Sequence, residues 1–143
     1  MSGSPAPHGR AMLVALTSEA YAALGARERE ITGFPYRVGR ESREAQRTQH
    51  GSVTERRDPG SRPTNDLYLR DRQEPLNVSR DHFAIDREDT GYVLVDQAST
   101  CGTIVEGQSV GGQTRGGIIA LHDGDVIIVG TSLSPYVFKF RGG

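Results

Sequence analysis

The stretch Asn77-Val78-Ser79-Arg80-Asp81-His82-Phe83-Ala84-Ile85 changes character at its middle. Its first half is polar and without regular pattern. From Phe83 onward apolar and polar residues alternate, as they do in a strand with one buried face. Ser79, Arg80 and His82 are therefore expected on a loop that ends at the lip of a sheet. A hydroxyl, a guanidinium and an imidazole so close together suit a site for an anion. Upstream, Gly39-Arg40 ends another short strand, Tyr36-Arg37-Val38. Downstream, Asp96-Gln97-Ala98-Ser99-Thr100-Cys101-Gly102-Thr103 leads into Ile104-Val105. Three strand ends, each with a polar turn, converge in this reading at one end of a β-sandwich.

The rest of the chain supports an all-β fold. With 143 residues it is long enough for one domain with a real core. Ala11 to Thr17 reads as a first strand. Ser18 to Gly25 reads as a short helical turn, with Ser18 as cap, alanines that favour helix and Gly25 as stop. Further strands are expected at Arg29–Thr32, Tyr36–Gly39, Leu67–Leu69, Phe83–Asp86, Tyr92–Asp96, Thr103–Val105, Gln108–Val110, Gly117–Ala120, Asp125–Val129 and Pro135–Arg141. Turn signals such as Asp89-Thr90-Gly91, Gly111-Gly112 and Asp123-Gly124 separate them. About eleven short strands spaced in this way indicate a sandwich. The apolar run Ile127-Ile128-Val129 predicts a strand covered on both sides.

Two segments stand apart. Residues 1–10 have no apolar run, so they read as a disordered tail rather than a signal peptide. The body of the domain then runs from 11 to 143. Within it, residues 41–64 are rich in Arg, Glu, Ser, Thr and Gln and nearly devoid of aliphatic side chains. Such a segment cannot build a core and reads as an insertion in a loop.

Charge and cysteine usage narrow the function classes. A net charge of −1 argues against a general binder of nucleic acid or of anionic membranes. No stretch approaches the length of a membrane span. Among the 17 basic residues only Lys139 is a lysine, and arginine binds phosphate bidentately where lysine does not. The single cysteine, Cys101, excludes an internal disulfide and a cysteine-based metal site, and is compatible with a cytoplasmic protein.

Taken in order, Gly39-Arg40, Asn65-Asp66-Leu67, Ser79-x-x-His82, Ser99-Thr100-Cys101-Gly102-Thr103 and Gly124-Asp125-Val126 resemble the forkhead-associated (FHA) domain. The resemblance covers roughly Met12 to Phe140. It departs from the family at Cys101, where an Asn is usual. It implies a β-sandwich that binds phosphothreonine with its loops, without catalysis and without a cofactor or metal. A phosphothreonine carries about −1.5 to −2 charges and three strong acceptor oxygens. By the resemblance Arg40 and Ser79 are phosphate ligands, Arg80 adds a second positive charge, and Thr100 and Cys101 stand on the loop that holds the peptide. Gly39, His82 and Gly102 are expected to support these loops rather than touch the ligand. Asn77 and the Asp71–Pro75 loop are candidates for reading the residues around the phosphothreonine.

The implied partner is a phosphothreonine-containing protein, a Ser/Thr kinase or its substrate. An FHA-like domain that binds protein surfaces without phosphate is the alternative. Other readings fit less well. Cys101, His82 and Asp96 could form a nucleophile, base and orienting acid, but no local signature supports it. Asp123-Gly124-Asp125 is far short of a calcium loop, and a hairpin turn explains it. Nucleic-acid binding by the arginines of 41–64 is disfavoured by the overall charge.

Overall fold

The computed structural model describes residues 11–40, 65–70, 78–113 and 115–142. Residues 1–10 and 41–64, the Asp71–Pro75 loop and Asn77 lie outside the described residues. The elements in chain order are β1 (Ala11–Ala15), α1 (Ser18–Leu24), β2 (Glu28–Ile31), β3 (Tyr36–Arg40), β4 (Leu67–Leu69) and β5 (Phe83–Glu88). They continue with β6 (Gly91–Asp96), β7 (Thr103–Val105), β8 (Gln108–Val110), β9 (Gly117–Leu121), β10 (Val126–Val129) and β11 (Val137–Gly142). A six-stranded sheet has the order β2-β1-β11-β10-β7-β8, and a five-stranded sheet the order β4-β3-β5-β6-β9. All pairings are antiparallel except β3 with β4.

The sandwich follows from period-two burial. Leu13, Ile127, Val129, Val105, Phe138 and Phe140 point inward from one sheet. Val38, Leu69, Phe83, Ile85, Leu94 and Leu121 meet them from the other. Full burial of such side chains stabilises by about 1.5–3 kcal/mol each, which makes this shared layer the main driving force. The expectation of a doubly covered strand at 127–129 is corrected: Ile127 and Val129 are buried, but Ile128 and Val126 are only half-buried. In a two-layer sandwich every strand keeps one outer face, and Val126 and Ile128 lie on this one.

The short helix is capped by Thr17, not by Ser18 as expected. Thr17 is in extended conformation and its Oγ1 accepts from Ala20 N at 3.2 Å, while Ser18 Oγ turns to Glu19. Gly25 closes the helix in the left-handed region, with φ 76° and its N–H on Tyr21 O. Seven residues are too few for a helix to persist alone. Its buried Ala20 and Leu24 join the core and hold it in place. Among the described residues no helix is long and apolar enough to cross a membrane.

The topology brings strand ends together. β3 ends at Arg40, β5 begins at Phe83, and Val38 pairs with Phe83, so the 78–82 loop lies beside Gly39 and Arg40. β6 lies in the five-stranded sheet and β7 in the six-stranded one, so residues 97–102 cross between the layers at that same end.

Candidate phosphopeptide-binding site

Arg40 and Ser79 are held together by backbone: Arg40 N–H donates to Ser79 O at 3.0 Å. Gly39, just before, sits under the neighbouring peptide. A Cβ there would lie 1.9 Å from Arg80 O and 2.5 Å from Asn65 Nδ2. Only glycine allows the 79–80 backbone to approach β3 so closely. The same carbonyl is fixed by Asn65, whose Nδ2 donates to Arg80 O at 2.8 Å. Asn65 is buried, and its own N–H donates to Tyr68 OH at 3.2 Å. Arg80 itself is exposed, Arg40 is half-buried, and Arg40 Nε is withdrawn from solvent.

Ser79 links the two loops. Its Oγ accepts the N–H of Thr100 at 3.0 Å. A hydroxyl that accepts in this way still has its own O–H to donate. Ser79 N–H donates to His82 Nδ1 at 2.9 Å, and His82 Nε2 meets Gly102 O at 2.7 Å. Backbone N–H can only donate and a carbonyl can only accept, so the imidazole is the neutral Nε2–H tautomer. His82 is fully buried, and its backbone adds Val38 O on one side and Gln97 N–H on the other. It therefore ties β3, the 78–82 loop and the 97–102 loop to one residue.

The 97–102 loop is built around a buried carboxylate. Asp96 Oδ1 accepts from Ser99 N at 2.8 Å, and Oδ2 accepts from Ser99 Oγ at 2.7 Å and Thr103 Oγ1 at 2.8 Å. Ser99 Oγ in turn accepts from Gly102 N at 2.9 Å. Asp96, Ser99 and Thr103 are all buried. Gly102 has φ 81°, a conformation other residues rarely adopt. Thr100 and Cys101 are thereby presented at the surface, exposed and half-buried respectively. Asp96 serves Ser99 and Thr103 rather than His82, so Cys101, His82 and Asp96 do not form the chain of contacts a nucleophile, base and orienting acid need.

Beside this cluster lies a cavity of about 670 Å³. Thr100 and Cys101 form one wall, Gly112, Gln113 and Arg115 a second, and Thr131 and Ser132 a third. Asp123 and Asp125 lie at the β9–β10 turn instead. There Asp125 caps His122 N–H at 2.8 Å and Asp123 Oδ1 accepts from Arg141 Nε at 3.0 Å.

The sequence expectations placed Arg40, Ser79, Arg80, Thr100 and Cys101 at one end, and the structure brings them together. Two organising residues were missed. Asp96 was noticed only as a possible catalytic acid, although Asp96-x-x-Ser99 is the spacing of a side chain that caps its own turn. Asn65 was part of the motif comparison without a role. Gly112, Gln113, Arg115, Thr131 and Ser132 carry no sign of a binding role in the sequence beyond the Gly111-Gly112 turn, because they reach the site only through the fold.

A model of the FHA domain matches residues 36–130. The chain belongs to the FHA domain family. FHA domains are protein-interaction modules rather than enzymes. No curated protein matches the chain in sequence. Among solved structures, the chain is similar to Mycobacterium tuberculosis EmbR in complex with a low-affinity phosphopeptide. Identity there is 22%, the TM-score is 0.60, and the match covers 94% of this chain and 25% of that one, so it spans a quarter of EmbR. It is similar to the FHA domain of the CT664 protein from Chlamydia trachomatis, at 19% identity and TM-score 0.56, covering 94% of this chain and 99% of that one. The kinase-interacting FHA domain of the Arabidopsis phosphatase KAPP is similar at 21% identity and TM-score 0.57, with 92% of each chain covered. At these identities the likeness is one of fold.

Proposed function

We propose that this FHA domain is a non-enzymatic module that binds phosphothreonine in a partner protein, a Ser/Thr kinase or a substrate of one. Arg40, Ser79 and Arg80 hold the phosphate, Thr100 and Cys101 flank the phosphothreonine, and Gly39, His82 and Gly102 keep the loops in place. The observation that carries this reading is the doubly used Ser79. Its Oγ accepts Thr100 N–H at 3.0 Å, which leaves the hydroxyl proton to be donated to a phosphate oxygen. An acceptor-rich dianion fits that arrangement of donors. Membership of the family and the phosphopeptide seen in the EmbR complex support it.

The test is calorimetry with matched threonine, phosphothreonine and phosphoserine peptides. The phosphothreonine peptide should bind best, and the unphosphorylated peptide should not bind. Arg40→Ala and Ser79→Ala should each weaken binding by about 1.5–3 kcal/mol, the worth of a hydrogen bond to a charged group. Equal binding by wild type and both variants, or binding that ignores the phosphate, sinks the proposal.

A further inference from the structure

We infer that Arg115, on the β8–β9 connection, selects an acidic side chain near the phosphothreonine, in the cavity beside the phosphate site. The inference rests on the phosphothreonine reading above and adds a specificity residue to it.

Thr100 joins the two places. Its N–H is held by Ser79 Oγ at 3.0 Å, and its carbonyl accepts Gln113 N–H at 2.8 Å. The phosphate site and the β8–β9 connection thus share one residue as a common wall. A peptide anchored at Ser79 and continuing over Thr100 and Cys101 enters the 670 Å³ cavity directly. That volume is in the range that takes up a side chain or a short peptide segment.

The cavity's chemistry is one-sided. Among its described lining residues Arg115 is the sole charged side chain; the others are glycines, hydroxyl residues, Cys101, Ile104 and Gln113. Arg115 Nη2 meets Gln113 Oε1 at 3.4 Å, a neutral and distant acceptor, and among the described residues it meets no carboxylate. Gln113 holds a left-handed backbone, φ 53°, after Gly111 and Gly112 at φ 72° and 98°. This tight path keeps Arg115 at the cavity rim, where Arg115 N–H closes the turn on Gly112 O at 3.0 Å. Among the described residues an incoming carboxylate meets a cation with no competing anion in the cavity lining, and a lysine or arginine at the same peptide position meets repulsion.

The test uses wild type, Arg115→Gln and Arg115→Glu with phosphothreonine peptides in an alanine background. A single Asp, and separately a single Lys, is walked through the positions on both sides of the phosphothreonine. Affinities are read by fluorescence anisotropy, and folding of the variants by circular dichroism. At one position Asp should tighten wild-type binding roughly two- to fivefold, the size of a favourable exposed ion pair. Arg115→Gln should lose that preference, and Arg115→Glu should prefer Lys there. An Asp scan that is flat in wild type, or a preference that survives in Arg115→Gln, overturns the inference. In either case, phosphothreonine peptides that still outbind their unphosphorylated forms leave the phosphate reading standing. Peptides that bind with no regard to phosphate overturn both.

Discussion

Cys101 stands half-buried on the wall between the Arg40–Ser79–Thr100 cluster and the adjoining cavity. Family members usually place Asn there, whose amide can both donate and accept. A thiol does both weakly. Gln113 is carried to the same wall by its N–H bond to Thr100 O, so amide chemistry is near but on a different loop. Cys101→Asn should tighten a phosphothreonine peptide by about 0.5–1.5 kcal/mol, the net worth of one ordinary hydrogen bond. Cys101→Ser should recover less. A titration in which Cys101→Asn binds no better would mean that the loop is shaped around the thiol. At this scale the chemistry-bearing residues could be read from the sequence, because Ser79-x-x-His82 and Gly39-Arg40 are short patterns. The reason for Gly39 could not. It depends on Arg80 O, which is remote in sequence and would lie 1.9 Å from an added Cβ.

The 97–102 loop gains its shape from Asp96 rather than from its own backbone. Three donors converge on that carboxylate, and a fourth hydrogen bond runs from Gly102 N–H to Ser99 Oγ. A buried carboxylate is costly unless its acceptor sites are filled, and here they are filled by neighbours that must fold with it. Asp96→Asn replaces one acceptor by a donor that confronts hydroxyls already aimed inward. Urea unfolding should show a loss of about 1.5–3 kcal/mol, and phosphopeptide affinity should fall with it, since Thr100 is released. Ser79→Ala is the contrast, because it removes one bond at a half-buried residue and should cost far less stability. A stable Asp96→Asn with normal binding would show that the loop does not depend on the carboxylate. Elements of this kind were legible as strands and turns, since alternation and glycine mark them directly. What escaped was the wiring between them: the cap is Thr17 rather than Ser18, where backbone conformation decides, and Ile128 is only half-buried, where layer count decides.

The whole sandwich has two poles, and β10 connects them. Its end at Val129 runs into Gly130 and Thr131 at the cavity, while its start at Val126 follows the 122–125 turn. That distant turn is locked onto β11 by Asp123, whose Oδ1 accepts from Arg141 Nε at 3.0 Å and from Gly142 N at 3.1 Å. The Arg141 hydrogen bond first, and the Gly142 N–H second, hold the Asp123 carboxyl below the ordinary carboxylate range. A carboxyl whose folded pKa is depressed adds stability above its unfolded pKa of about 3.9 and loses it as the pH falls through the lower folded value. The side chain is 54% exposed, so solvent screens the pair and its contribution is about 0.5 kcal/mol or less. Asp123→Asn should therefore lower the thermal midpoint slightly at neutral pH, and the gap to wild type should close as the pH is taken below about 4. Phosphopeptide affinity at neutral pH should be unchanged, because the substitution sits at the pole away from Ser79 and Thr100. A gap that persists at low pH would assign the effect to lost packing rather than to charge. A change in affinity would show that the two poles are coupled through β10.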